Sequence, residues 1–281
     1  SGPQASPVVV RYGPASDRFL TCQLIQAGEQ LLLMVRDVTR EARLEAMRKD
    51  FVANASHELR SPLTVVSGYL DQLAEDPAMD SDWHGPIEEM RRQSERMRLI
   101  VEDLLELSRL EASGKEAPRE PVDVGGMLAL IRKDVMARDT RPQQVVLRLD
   151  SSARLLGSES ELHSIASNLV SNAVKYTPAE GSVEIRWWTD RDGGHLSVSD
   201  TGMGIPAEHL PRLTERFYRV DRGRSRRSGG SGLGLAIVKH ALQRHGGHLT
   251  IDSVEGKGST FTCHFPAKRI EAESGKAAAA G

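Results

Sequence analysis

Two stretches of apolar residues at helical spacing constrain the fold of this chain more than any other feature of its sequence. The first runs at three- and four-residue steps through Leu44, Met47, Phe51, Ala55, Leu59, Leu63, Val66, Leu70 and Leu73. The second follows Pro86 in a heptad pattern, through Ile87, Met90, Ser94, Met97, Val101, Leu104 and Ser108. Two such helices bury little surface alone. We therefore expect a hairpin over residues 39–113 that pairs with a second copy in a dimeric four-helix bundle.

The regions on either side of the hairpin lack its helical spacing of apolar residues. Residues 1–38 contain three β-type runs (VVVRY, FLTCQLIQ and QLLLMVRDV) separated by turn-forming residues, which predicts three antiparallel strands. About 30 residues are too few for an independent core, so we assign this part to the end of a sensor domain. Residues 114–121 are a polar linker, and residues 269–281 are a low-complexity tail that we expect to be disordered.

Residues 122–268 alternate between helix and strand patterns. Helices are predicted at 123–138, 158–176 and 231–245, and strands at 144–149, 183–189, 195–200, 248–254 and 258–266. This alternation is typical of an α/β sandwich. The predicted fold class is therefore α+β, with a helical-hairpin dimerisation domain followed by an α/β sandwich.

Two motifs in this second domain carry groups that suit a nucleotide. In NLVSNAVKYTP, Asn168, Asn172 and Lys175 share one helix face, and their amides and ammonium suit a Mg²⁺–phosphate group as well as they suit a solvated surface. In DTGMGIP, Asp200 ends a strand, and Gly202 and Gly204 allow the backbone to approach a flat ligand.

Two further motifs follow them along the chain. GGSGLGLAIVKH places Gly230, Gly232 and Gly234 at a helix start, where backbone N–H groups bind phosphate; it lacks the GK[ST] of a Walker A motif. LTERFYRVDRGRSRR surrounds Phe217 with arginines, including Arg216. Alone it could be a nucleic-acid patch, but between two glycine motifs we interpret it as a basic lid over phosphates.

The hairpin contains one candidate for covalent chemistry, the sequence SHELRSPLT at residues 56–64. His57 stands beside Glu58, and Ser61 follows three residues later. A His–Glu pair alone is more typical of a solvated helix face. Pro62 removes a backbone hydrogen bond and predicts a kink, which is equally consistent with a bending point and with a tolerated irregularity.

Taken in order, these motifs resemble those of the sensor histidine kinases of two-component signalling, over residues 40–267. SHELRSPLT resembles the phosphoacceptor box, and the four later motifs resemble the nucleotide boxes of that family. The resemblance implies a phosphotransfer hairpin joined to a Bergerat-type ATP-binding domain, with ATP and Mg²⁺ as cofactors, a homodimer, and a response regulator as partner.

The resemblance also implies a role for each site residue. His57 would accept the phosphoryl group, Glu58 would orient the imidazole and act as general base, and Ser61 would support removal of phosphate from the regulator. Many relatives have threonine at Ser61, so this activity is expected to remain, though weaker. Asn172 belongs to the catalytic set and, with Asn168, would bind the metal. The residues expected to bind the nucleotide are Asn168, Asn172, Lys175, Tyr176, Asp200, Gly202, Gly204, Arg216, Gly230, Gly232, Leu233 and Gly234.

A narrower resemblance, carried by FVANASHELRSPLTVVSGYL and by Leu213-Thr214 ahead of ERFYR, is to the phosphate-regulon sensor kinases. It implies phosphate-starvation signalling through a PhoB-like regulator, and a PAS domain as the origin of residues 1–38. The sequence starts with Ser1-Gly2 and has no run of 18 apolar residues. The start without Met indicates an excised fragment, and the fragment itself does not span a membrane. The resemblance implies that the full-length protein is anchored in the bacterial inner membrane by a preceding segment, with this part in the cytoplasm.

Three other interpretations were weighed against a kinase. A chaperone-like or topoisomerase-like ATPase would lack the histidine-bearing hairpin. A non-catalytic dimeric signalling scaffold would be expected to have lost a motif asparagine, Asp200 or the glycines, and none is lost. A catalytically silent or phosphatase-dominated dimeric scaffold stays the alternative to the kinase. A nucleic-acid-binding protein is disfavoured by the net charge of −2. The two distant cysteines, Cys22 and Cys263, argue against a disulfide framework or a structural zinc site.

Overall fold

The computed structural model describes residues 8–12, 18–27, 30–40, 59, 62–76, 80–112, 116–138, 140–220 and 231–271. The chain divides into two compact units, Ser1–Glu58 and Leu59–Gly281. In the described ranges, no helix has the length and apolar character needed to cross a bilayer.

The first unit contains a three-stranded antiparallel meander, as predicted. Its strands are β1 (Val8–Tyr12), β2 (Arg18–Ala27) and β3 (Gln30–Asp37), in the order β1-β2-β3. Thr39, just after β3, is joined to β2, because its Oγ1 accepts a hydrogen bond from the Phe19 N–H at 2.9 Å. All eight residues of β3 are exposed.

The second unit begins with two antiparallel helices, α1 (residues 62–74) and α2 (Ser81–Ala112). Their register is fixed by a hydrogen bond between the hydroxyls of Ser67 and Ser94 (2.8 Å) and by an ion pair between Asp71 and Arg91 (2.9 Å). The sequence placed the start of the second helix after Pro86. In the structure the helix begins earlier, at Ser81, because the Asp80 carboxylate accepts a hydrogen bond from the Asp82 N–H and caps the first turn.

The rest of the second unit is a two-layer α/β domain. Its elements are β4 (Glu120–Val122), α3 (Val124–Met136), β5 (Gln144–Leu149), β6 (Leu155–Gly157), α4 (Glu159–Tyr176), β7 (Ser182–Thr189), β8 (Gly193–Asp200), a 3₁₀ helix (Ala207–Arg212), α5 (Gly234–Arg244), β9 (His248–Val254) and β10 (Gly258–Pro266). The main sheet has the order β5-β7-β8-β10-β9. Its β5–β7 pair is parallel and the other pairs are antiparallel. The predicted α/β sandwich is confirmed, whereas the small β4–β6 pair was not predicted.

One face of the main sheet packs against α3, α4 and α5. On β7, alternate side chains from Val183 through Ile185 to Trp187 are fully buried, as the two-residue period of a strand requires. The same core reaches α2 through Leu107 and Leu110, which are 1% and 7% exposed. The C-terminal part of α2 is therefore packed against the α/β domain.

An arginine near the chain's end fixes the segment that leads into the α/β domain. Arg269 is 1% exposed, and its Nη1 donates to the carbonyls of Ala117, Pro118 and Leu156 at 2.9–3.1 Å. Ala117 also donates to the Arg244 carbonyl at 2.8 Å. The predicted linker is thus fixed to the domain from residue 116 onward, and Arg269, the first residue of the predicted tail, is part of its structure.

Candidate nucleotide-binding site

The predicted site residues fall into two groups. His57, Glu58, Ser61 and Gly230 lie outside the described residues. The others lie in the α/β domain, on α4, at the end of β8, and on the segments before α5.

Asn168 brings the face of α4 against the start of α5. Its Nδ2 donates to the Ser164 carbonyl at 2.9 Å and lies 3.3 Å from the Ser164 hydroxyl, which turns Oδ1 towards Gly234. A Cβ at Gly234 would come closer than 3.0 Å to that oxygen. A larger residue here would have to displace the Asn168 amide, and the close contact brings the asparagine motif and the second glycine motif together.

Asp200 and Gly202 form a second contact, at the end of β8. The Asp200 carboxylate accepts the Gly202 N–H at 2.8 Å, and a Cβ at Gly202 would overlap the Tyr176 carbonyl. Burial raises the pKa of Asp200, while hydrogen bonds from the Gly202 and Ser259 N–H groups act against this shift. A half-buried carboxylate thus lies beside the last turn of α4.

Gly204 holds the segment after β8 against the end of β9. Its φ of 66° lies in the left-handed region, and a Cβ would overlap the Val254 carbonyl. The Ile205 N–H donates to the Ser253 hydroxyl at 2.8 Å, which fixes the next residue to the same strand.

The arginine-rich motif meets the second glycine motif at Phe217. Its N–H donates to the Gly232 carbonyl at 2.9 Å, and it has a φ of 61°, which is uncommon for a bulky residue. Gly232 is also left-handed, with a φ of 75°. The Leu233 side chain is fully buried in the core, while its N–H donates to the Ser231 hydroxyl at 3.0 Å.

Cations gather at the end of α4. Burial, together with the charges of Arg219 and Arg96, lowers the pKa of Lys175 to about 8, and its Nζ lies 5.1 Å from the centre of the Tyr176 ring. Arg96 belongs to α2, and its Nε is enclosed without a hydrogen-bond partner in the described part of the chain. Mutually repelling cations of this kind favour an anion between them.

Arg216, which was expected to bind the nucleotide, pairs with Glu111 of α2. Ser231 is held in the same way, because its hydroxyl donates to the Asp103 carboxylate of α2 at 2.5 Å. Sequence analysis missed Asp103 and Glu111, since a polar helix face gives no sign of which domain it will meet. Among the described residues, no cluster of three or more His, Cys, Asp or Glu side chains is arranged to hold a metal.

Comparison with protein-family models finds both expected modules. Residues 47–113 match the His Kinase A (phospho-acceptor) domain, and residues 157–269 match the Histidine kinase-, DNA gyrase B-, and HSP90-like ATPase family. The second model alone would also fit a gyrase-like or chaperone-like ATPase. The first, which lies ahead of it in the chain, separates the histidine kinases from those proteins.

Curated relatives agree with this result. The chain is 55% identical to the phosphate regulon sensor protein PhoR of Pseudomonas aeruginosa, over 89% of this chain and 57% of that protein. It is 38% identical to PhoR of Haemophilus influenzae, over 89% of this chain and 58% of that protein. The chain thus spans a little over half the length of these relatives.

Solved structures show the same architecture. Full-length ShkA, crystallised in complex with AMPPNP, matches with a TM-score of 0.63 and 28% identity, over 77% of this chain and 45% of that one. The Acinetobacter baumannii histidine kinase AdeS matches in fold, with a TM-score of 0.52 and 23% identity, over 75% of this chain and 98% of that one. The chain belongs to the sensor histidine kinases, and among them it is similar to the phosphate regulon sensor proteins.

Proposed function

We propose that this protein phosphorylates itself on His57 with ATP and passes the phosphoryl group to an aspartate of a PhoB-like response regulator in phosphate-starvation signalling. In this proposal residues 39–113 carry the phosphoacceptor and residues 122–268 carry the nucleotide. The observation that supports it most is the meeting of separate motifs in one place. Asn168 touches Gly234, Asp200 binds Gly202 beside Tyr176, and Phe217 binds Gly232.

The nucleotide is proposed to lie among these contacts. Asp200 would accept a hydrogen bond from the adenine amino group. The amide oxygens of Asn168 and Asn172 are hard ligands that suit Mg²⁺. Bound Mg²⁺ would neutralise phosphate charge, and Lys175 would add a second positive charge beside the phosphates.

His57 is the proposed nucleophile. A nitrogen lone pair of its imidazole attacks the γ-phosphorus, so that a P–N bond forms and the P–O bond to ADP breaks. Glu58 takes the proton from the other ring nitrogen, which keeps the first nitrogen nucleophilic. The phosphoryl group then passes to a carboxylate oxygen of the regulator, and the imidazole is regenerated.

Uncovered apolar stripes on the hairpin support the proposed homodimer. On α1 and just ahead of it, Leu59, Val66 and Leu73 are 51%, 46% and 46% exposed at seven-residue steps. On α2, Met90 and Met97 are 46% and 47% exposed at the same spacing. A heptad stripe left uncovered in one chain is the surface that a four-helix bundle buries.

The direct test is incubation with γ-labelled ATP and Mg²⁺. An acid-labile, alkali-stable label on the protein is the result expected for phosphohistidine.

The second candidate function is that of a dimer dominated by phosphatase activity. It is favoured by the contacts that Arg216 and Ser231 make with acidic residues of α2. ATP binding without any label would support that candidate and contradict the kinase.

The adenine role of Asp200 predicts a loss of nucleotide affinity in Asp200→Asn. Asparagine keeps an oxygen for the Gly202 N–H but carries no charge, so ATP should bind about 10- to 100-fold more weakly, as for a hydrogen bond to a charged group. Calorimetric titration measures the change. Asp252→Asn, at an exposed position on β9, should bind ATP like the unchanged protein. Equal affinity in Asp200→Asn would rule out this role.

The proposed phosphatase activity rests on the Ser61 hydroxyl. Ser61→Ala should slow the loss of phosphate from the phosphorylated regulator, because no hydroxyl would remain to position the attacking water. Ser61→Thr should retain the activity or raise it, since its extra methyl group restricts the rotamer. The phosphoregulator's half-life with each variant measures this. An unchanged half-life with Ser61→Ala would refute the role.

A further inference from the structure

Three acidic residues of α2 face the ATP-binding domain. The Asp103 carboxylate accepts the Ser231 hydroxyl, and Glu106 is hydrogen-bonded to the Ser164 side chain. Glu111 pairs with Arg216 and lies 3.3 Å from His240 Nε2. These three acids, Asp103, Glu106 and Glu111, are called the α2 acid row below.

The contact is partly enclosed. Leu107 and Leu110, which lie between Glu106 and Glu111 along α2, pack into the core of the α/β domain. Burial raises the pKa of both Asp103 and Glu106, in each case against the effect of the serine hydrogen bond. Enclosed carboxylates depend on their partners, since water no longer solvates them fully.

Three partners of the acid row, Ser231, Ser164 and Arg216, belong to the proposed nucleotide site or touch it. Ser231 precedes Gly232 in the second glycine motif, and its hydroxyl accepts the Leu233 N–H. Ser164 holds the amide of Asn168. Arg216 was expected to bind the nucleotide, and a guanidinium held by a carboxylate cannot offer the same donors to a phosphate.

We propose that the α2 acid row is a latch that holds the ATP-binding domain on the hairpin by occupying Arg216 and Ser231, so that docking on α2 competes with the phosphates of ATP. The proposal rests on the proposed function, because the competing ligand is the nucleotide. It assigns to Asp103 and Glu111 the role of lowering ATP affinity while the domain is docked. A signal that moves α2 would then change how readily the site accepts ATP.

The test compares a latch variant with a matched control. The latch variant is Asp103→Asn with Glu111→Gln. The control, Glu95→Gln with Glu102→Gln, removes the same charge from the same helix, at acids that pair with Arg98 of α2. A Cys22→Ser background carries spin labels at His84→Cys on α2 and Asp134→Cys on α3. Mixing with excess unlabelled chain leaves only distances within one chain.

Without nucleotide, the doubly labelled protein with an unchanged latch and the control variant should each give one narrow distribution of the distance between the two spin labels. The latch variant should give a broader distribution centred at a longer distance. The latch variant should also bind ATP about fivefold more tightly, the lower end of typical coupling between sites. Glu111→Arg combined with Arg216→Glu should restore the narrow distance, because the ion pair is re-formed with reversed charges.

The outcomes separate the two proposals. A distance unchanged in the latch variant overturns the latch. A changed distance with equal or weaker ATP binding overturns the competition. Distances that respond as expected, with no ATP binding by any variant, refute the proposed function of the site and with it the competition, while the contact itself is retained.

Discussion

Replacing His57 by glutamine is expected to abolish the acid-labile label that γ-labelled ATP leaves on this protein. Glutamine has a similar size and polarity, but its amide nitrogen has no lone pair available to attack phosphorus. Phosphoryl transfer gains little from other covalent help by the protein, so removal of the acceptor atom leaves no alternative route. Gel autoradiography after acid and alkali treatment measures the loss.

The matched control is His84→Gln. His84 is an exposed histidine of α2 and belongs to none of the motifs, so its loss should leave the label unchanged. ATP affinity should be the same in both variants, since the proposed nucleotide site lies in the α/β domain. A label that persists in His57→Gln would move the acceptor to another residue and contradict the proposed chemistry.

Replacing Gly204 by alanine is expected to destabilise the α/β domain by about 2–5 kcal/mol. Two penalties add here: a left-handed φ, which costs an L-residue roughly 1–2 kcal/mol, and steric overlap, which typically costs about 1–3 kcal/mol. The overlap is with the Val254 carbonyl, a backbone atom of β9 that cannot move without disturbing the sheet. Denaturant unfolding followed by tryptophan fluorescence measures the change, since two of the three tryptophans, Trp187 and Trp188, lie on β7.

Gly256 provides the control for this experiment. It is also left-handed, with a φ of 77°, but a Cβ there would meet nothing within 4 Å. Gly256→Ala should therefore cost only the backbone term, about 1–2 kcal/mol. Equal destabilisation by the two variants would mean that the close approach to Val254 contributes nothing.

The α/β domain could be predicted almost element by element because its strands alternate and its helices end at turn-forming residues. The strands at 144–149, 248–254 and 258–266 were predicted with the bounds that the structure gives. The β4–β6 pair escaped prediction because three-residue strands show too little alternation to be recognised. The helix start at Asp80 was missed because Pro86 was interpreted as the boundary, whereas a capping aspartate starts the helix earlier.

The site was predictable only to the level of its motifs. The motif order singled out Asn168, Asp200 and Gly234 as candidates. In the structure Asn168 lies against Gly234, and Asp200 accepts the Gly202 N–H. The pairing of Arg216 with Glu111 could not be predicted from the sequence, since it joins residues 105 positions apart. Periodicity tells which face of a helix is polar, but it does not tell which polar partner will meet it.

The Arg269 contacts also have a consequence for the order in which the molecule is made. Arg269 binds the Ala117 and Pro118 carbonyls, more than 150 positions earlier in the chain. During synthesis, the carbonyls of Ala117 and Pro118 therefore wait for this partner until Arg269 has left the ribosome. The hairpin helices are complete long before then, and N-terminal parts generally fold first. In the proposed homodimer, the hairpins are thus available for pairing before either ATP-binding domain is closed.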